Sequence, residues 1–305
     1  MLTLKEYARY DALGLKSLID AGDISAYELI DIAQSAIQEL NPTLNFLVAE
    51  SPEESDRALK QLAKPLPLSG VPILVKEGVG LAGQPQEMGC RLGKGVLCQK
   101  DSEVVHRLKQ TGVVILGSTN ACELGNAATT ESVLHGPARN PWNLNHSTGG
   151  SSGGSASAVA AGVVPIAQSS DGGGSIRTPA HCCGVFGLMP TRGRNPIGPA
   201  SNGGPLCVLR NHVLTRSVRD SAVMLDHLHG PEFGARYDVA PPENSFLQAL
   251  QTASSGLRIA FSAESPSGSP TSLDCIKAVI STAKLCEELG HHVEEARPHY
   301  SWTSL

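Results

Sequence analysis

Apolar residues recur at helical spacing early in the chain. Leu29, Ile30, Ala33, Ile37 and Leu40 fall on one helical face. Ser25 followed by Glu28 makes a capping box ahead of them, and Asn41-Pro42 predicts the stop. A second helix is expected from Pro52 to Ala63, so the first 64 residues read as helical. The pattern then changes. After Gly70, the unbroken apolar run Val71 to Lys76 reads as a strand, and residues 78–100 as a glycine-rich loop. Ser102, Val104, Val105 and Leu108 predict a helix ended by Gly112, and Val113 to Leu116 a short strand. This strand–helix–strand order predicts an α/β fold with crossover connections. Further on, helices are expected over Gly153 to Ala161, Ser217 to about His227 and Asp274 to Leu289. Strands are expected over Val163 to Gln168, Leu257 to Phe261 and near Val293. No internal repeat is visible.

Composition narrows the function classes. With 41% hydrophobic and 17% charged residues, the 305-residue chain is globular rather than disordered. Its length fits one large domain or two small ones. The net charge of -5 comes without a basic stripe, which argues against a nucleic-acid partner. Met1 to Asp11 carries Lys5, Glu6, Arg9 and Asp11 but no apolar stretch, so a signal peptide is not expected. No run of 18 apolar residues is present, so no membrane span is expected and the location reads as cytoplasmic. The eight cysteines include no CxxC pair, which argues against a zinc cage and for reduced, mostly buried thiols. His227, His229, His291 and His292 read as surface or cap residues.

Two serine clusters carry the candidate chemistry. The first is Gly149-Gly150-Ser151-Ser152-Gly153-Gly154-Ser155-Ala156; the second is Ser170-Asp171-Gly172-Gly173-Gly174-Ser175-Ile176-Arg177. The helix and strand expected between them can bring the two clusters together. Glycines beside a nucleophile permit unusual backbone angles and close approach of a substrate to main-chain N–H groups. Successive N–H groups form an anion nest, and an oxyanion hole of that kind is worth about 3–4 kcal/mol per donor. Gly172, Gly173 and Gly174 suit that role ahead of Ser175. A serine needs a base, and no histidine nearby is an obvious partner. Lys76 is the alternative. As a base it must be neutral, and a fall from about 10.4 to about 7 costs about 4 kcal/mol, which burial can impose. Blander readings exist for each part. A Gly-Gly-Ser cluster alone is usually a flexible loop, and a lysine alone is usually on the surface. A phosphate cradle lacks its G-x-x-x-x-G-K-[ST] pattern, and G-x-S-x-G does not occur around Ser175.

Taken together these segments resemble the amidase signature family. Gly70 to Lys76 is similar to its lysine strand, and Gly117-Ser118-Thr119-Asn120 with Glu123 to its G-K-T-N-x-x-E segment. Asn140-Pro141-Trp142-Asn143 followed by 149–156 resembles N-P-W-N then G-G-S-S-G-G-S-A. Asp171 to Pro179 resembles D-T-G-G-S-I-R-x-P, and Cys183 to Leu188 with Pro190-Thr191 resembles C-G-V-V-G-L-K-P-T. The serines stand 24 positions apart, as in the family. The resemblance implies a mixed central sheet between helical layers, in one domain over 1–305 with its core over about 65–300. It also implies that a usual C-terminal portion is missing. It assigns Ser175 as nucleophile, Ser151 as the bridge to Lys76 and Ser152 as support, with a cis Gly150–Ser151 peptide. Asp171 and Arg177 would hold the loop, and Gly125 and Asn126 would touch substrate. No metal or other cofactor is implied. Glu77-Gly78 departs from the usual D-N, Ser118 and Met189 each replace a lysine, and Gly172 replaces a Thr or Ile.

Three functions follow from these residues. The first is an amidohydrolase cleaving a small carboxamide or ester through an acyl-enzyme. Thr129-Thr130-Glu131, Asn140 to Leu144 and Thr191 to Arg194 resemble bacterial amidases of the 6-aminohexanoate-cyclic-dimer hydrolase kind. The second is the glutaminase subunit of a tRNA-dependent amidotransferase, although Cys122 to Asn126 replaces that group's D-E-F-A-M-G. The third is an inactive pseudoenzyme or interaction module. Turnover by the chain itself separates the first from the third, and tRNA-stimulated ammonia release marks the second. The expected partner is a small amide, with a homodimer left open.

Overall fold

The structure is a computed structural model, and it describes residues 2–62, 65–199, 208–252, 254–265 and 267–297. Cys207 and the Ala63 end of the second expected helix lie outside the described residues. Internal contacts divide the chain, expected as one domain over 1–305, into two compact units, Met1–Leu247 and Gln248–Leu305.

A six-stranded mixed sheet organises the first unit. Its order is Leu47–Glu50, Val114–Thr119, Pro72–Lys76, Ile166–Asp171, Arg210–Thr215 and Phe186–Gly187. The lysine strand Pro72–Lys76 sits in the middle and runs parallel to both neighbours. Beyond them the pairings are antiparallel. Successive side chains of a strand face opposite ways, and here both faces are buried. Leu74, Val114, Leu116, Ala167 and Leu214 point into one core with the helix Ala26–Leu44 and the helix Gly153–Ala160. Ile73, Val75, Ile115, Ile166 and Val213 point into a second core with Val104, Val105 and Leu108 of helix Glu103–Gln110 and Met224 of helix Val218–Leu228. This is the expected α/β sandwich. It explains the unbroken apolar run at 71–75: a strand covered on both sides has no polar face. By the same alternation Lys76 shares the face of Leu74, toward the helix Gly153–Ala160.

Several boundaries differ from expectation, each for a physical reason. The Ser25–Glu28 capping box is present, but the helix runs through Pro42 to Leu44. Asn45 ends it in the left-handed conformation, and its amide donates to the carbonyls of His135 and Pro137. Tertiary hydrogen bonds therefore fix the stop, not the proline. The strand Arg210–Thr215 was not expected, because Asn211 and His212 interrupt its apolar pattern. Both are buried. Asn211 donates to the Pro196 carbonyl at 3.0 Å, and His212 pairs with Ser221 at 2.9 Å. The strand expected at 163–168 lies at Ile166–Asp171, which carries it up to the second serine cluster.

The second unit contains two parallel strands, Arg258–Phe261 and His292–Glu295, joined through the helix Leu273–Glu288. Among the described residues no helix is long and apolar enough to cross a membrane.

Candidate active site

Sheet order brings the chemistry together. Pro72–Lys76 and Ile166–Asp171 are parallel neighbours, so Lys76 and the turn after Asp171 emerge at the same end of the sheet. The first serine cluster reaches that end because it opens the helix Gly153–Ala160, which packs on the sheet. All but the last residue of this helix is buried, and none is larger than valine. Its glycines answer close packing. A Cβ on Gly154 would stand 2.5 Å from Asn120 N and O and from Phe46 O. One on Gly150 would stand 2.6 Å from Thr129 O. The cluster is therefore a tightly seated core element, not a flexible loop. The Gly150–Ser151 peptide is cis, as the resemblance implies.

Lys76 is 5% exposed, and its Nζ donates to Ser151 Oγ at 2.6 Å and to Ser170 Oγ at 3.1 Å. Burial pushes its pKa down to about 8, although Cys122, Asp171 and Glu77 pull the other way. No carboxylate forms an ion pair with the amine among the described residues, so burial wins. Ser152 stands behind this pair and donates to the Ser170 carbonyl at 3.3 Å. Ser170 is thus the hinge of the cluster. It lay inside the quoted motif, and only the lysine contact gives it a role.

The turn 171–177 is organised by one carboxylate. Asp171 accepts from the N–H groups of Gly174 at 2.7 Å, Ile176 at 3.1 Å and Arg177 at 3.3 Å, and from the Arg177 guanidinium at 3.0 Å. Burial works against its charge, but Arg177 and the backbone donors outweigh burial and hold the carboxyl below its ordinary range. Asp171 and Arg177 therefore hold the loop, as expected. The same geometry corrects one expectation. Gly174's N–H already serves Asp171, so it is not a free oxyanion donor. Gly174 is needed for its backbone, with φ of 135° and Thr178 Oγ1 at 2.9 Å from a built Cβ.

Ser175 is half-buried and opens onto a cavity of about 1020 Å³. Lys76, Ser151, Ser170, Gly172, Gly173, Gly125 and Asn126 line the same cavity; Gly174 and Ser152 do not. No side-chain hydrogen bond joins Ser151 to Ser175 among the described residues. A Cβ on Gly125 would stand 3.9 Å from Ser151 Oγ, which puts that loop directly over the serine. Sequence reasoning missed the wall opposite. Met88, Val96, Leu97, Leu124 and Val208 give it an apolar lining, and Cys122 lies beside Lys76. These residues sit on loops whose spacing carries no periodic signal.

A buried lysine on a serine, sharing a cavity with a second serine in a glycine turn, is an arrangement chemically able to support acyl transfer. Comparison with known proteins agrees on the class. The model of the family described as "Amidase" matches residues 28–303. The chain belongs to the amidase family. A 6-aminohexanoate-cyclic-dimer hydrolase from Paenarthrobacter ureafaciens is 35% identical over 294 residues, which cover 94% of this chain and 59% of that protein. The solved structure of a 6-aminohexanoate cyclic dimer hydrolase complexed with substrate superposes with a TM-score of 0.91 at 35% identity, covering 95% of this chain and 61% of that one. A bacterial aryl acylamidase of the amidase signature family gives 0.87 at 30% identity, covering 94% and 61%. The chain thus spans about 60% of the length of the curated relatives it matches.

Proposed function

We propose that this chain carries the catalytic centre of an amidohydrolase that cleaves a carboxamide through a Ser175 acyl-enzyme. The observation behind the reading is the buried Lys76 amine, 2.6 Å from Ser151 and held down to about 8. At neutral pH a useful fraction of that amine is unprotonated, and its lone pair accepts the Ser151 proton. Ser151 in turn accepts the proton of Ser175 as Ser175 Oγ attacks the carbonyl carbon. Nucleophile–base contacts are commonly loose without substrate and tighten on binding, which accommodates the absent Ser151–Ser175 bond.

Charge develops on the carbonyl oxygen at the turn. The N–H groups of Gly172, Gly173 and Ser175 are the proposed donors, since Gly174's is held by Asp171. A Cβ on Gly173 would meet nothing within 4 Å, so substrate can approach its backbone freely. As the tetrahedral intermediate collapses, the proton returns through Ser151 to the leaving nitrogen and the C–N bond breaks. Water then enters by the same relay, the ester bond to Ser175 breaks, and the acid leaves. Asp171 stiffens the turn and takes no proton.

The cavity favours a small amide with a hydrocarbon body, given its Met88, Val96, Leu97 and Leu124 wall. The relatives that act on 6-aminohexanoate cyclic dimer, a ring of two amides and two alkyl spacers, support the same class. The test is a broad fluorophosphonate probe read by intact mass, with Ser175→Ala and Lys76→Ala as controls. One adduct is expected, mapped to Ser175, absent in Ser175→Ala and much slower in Lys76→Ala. No adduct on folded protein would overturn the reading in favour of an inactive chain.

A further inference from the structure

A second cluster lies beside the lysine strand and takes no part in the relay. Glu77 follows Lys76 directly, with a side chain that has 0% exposure. Glu87 lies in the loop 78–100, and His135 in the turn between the short strands Glu131–Ser132 and Gly136–Pro137. One ligand atom from each of the three lies within 4.8 Å of the others. Two of these groups are unsatisfied: Glu77 Oε1 and His135 Nε2 are buried and have no hydrogen-bond partner. Buried polar atoms are rarely left so, because each costs about 1–3 kcal/mol.

We propose that Glu77, Glu87 and His135 form a binding site for one divalent transition-metal ion. The distances fit an ion better than a direct contact. His135 Nε2 is 3.5 Å from Glu77 Oε2 and 3.7 Å from Glu87 Oε2. Both exceed the 2.7–3.2 Å of an N–H···O bond. Two ligands held at about 2.1 Å by a tetrahedral zinc ion stand about 3.4 Å apart. An octahedral magnesium ion would draw them to about 2.9 Å, and it favours oxygen ligands and retained water. An imidazole with two carboxylates suits zinc and its first-row neighbours.

The carboxylates are already aimed. The Gly89 N–H donates to Glu77 Oε2 at 3.1 Å, and the Gly95 N–H to Glu87 Oε1 at 2.7 Å. His135 is anchored through its own backbone: its N–H donates to Ser132 Oγ at 3.1 Å and its carbonyl accepts from Asn45 at 2.9 Å. Such supports fix ligand orientation and raise affinity. A bound ion would tie the loop carrying Met88, part of the cavity wall, to the end of the lysine strand. This site stands independently of the acyl-transfer reading.

The experiment titrates the metal-stripped full chain with Zn2+ by calorimetry, and with Co2+ by visible absorption. One saturable equivalent of Zn2+ is expected, with Co2+ bands of a nitrogen–oxygen site and no thiolate charge-transfer band. His135→Ala and Glu87→Gln should each weaken Zn2+ at least tenfold, while their metal-free circular dichroism matches the parent. Glu87→Gln preserves shape, so it reads out the site even if His135→Ala folds poorly. No saturable equivalent, equal affinity in the parent and both variants, or a cobalt–thiolate spectrum would each overturn the proposal.

Discussion

Lys76 makes the stability of this protein depend on pH in a way that can be isolated. Its pKa falls from 10.5 to about 8 because the amine is buried on Ser151 and Ser170. Below pH 8 folded and unfolded chains both carry the proton, and the folded state bears the full cost of a buried ammonium. Between pH 8 and 10.5 the unfolded chain still binds the proton that the folded chain has released, so stability rises with pH. Above 10.5 the amine is neutral in both. At about 1.4 kcal/mol per pH unit, the total is about 3 kcal/mol. Lys76→Met keeps the bulk of the side chain and removes the proton site. Urea denaturation of parent and variant is compared from pH 7 to 10.5 with EDTA present, so that the Glu77 cluster is free of metal. Other lysines and tyrosines cancel in the difference. Parent minus variant should climb by about 3 kcal/mol, almost all of it above pH 8. A flat difference would show that the fold does not lower the pKa of the amine, and the base assignment would go with it.

Three further outcomes are expected. For an amide substrate, kcat/KM should rise tenfold per pH unit and level off above about pH 8, since only the neutral amine accepts a proton; a profile flat from pH 6 to 9 contradicts this. Gly154→Ala adds helix propensity worth about 1 kcal/mol, but its Cβ would crowd Asn120 and Phe46 backbone atoms at 2.5 Å. Crowding should win by about 1–3 kcal/mol, and an unchanged or raised melting temperature would count against the close packing. Arg107 donates to the carbonyls of Leu228, His229, Gly230 and Pro231, closing the end of helix Val218–Leu228. Arg107→Met should cost about 1–3 kcal/mol in urea denaturation, with a negligible change refuting the capping role.

The legible parts of the chain were those where local chemistry and global fold agree. The capping box at Ser25, the apolar run before Lys76 and the small residues of 153–160 each stated their element directly. Lys76, Ser151 and Ser175, the trio proposed for the reaction, stood out as candidates because the serines sit in glycine clusters and the lysine ends an apolar strand. What stayed hidden depended on distant partners. Pro42 sits inside its helix because Asn45 is held by the 135–137 turn. Arg210–Thr215 is a strand because its polar residues Asn211 and His212 find buried hydrogen-bond partners. The role of Gly174 needed the Asp171 carboxylate in view, and the cavity wall comes from loops that obey no period.

The site divides along the chain in a way that bears on how it can evolve. Its proposed reacting groups rest at the ends of two central strands and before a helix too crowded to accept a larger side chain. The wall facing them is made of loops at 86–101 and 122–126, many of whose side chains stand partly in solvent. Substitutions there meet little packing resistance, so a lineage could exchange one amide for another in small steps. The proposed relay beneath is held more tightly, because a side chain added to the glycines around it would run into packed backbone.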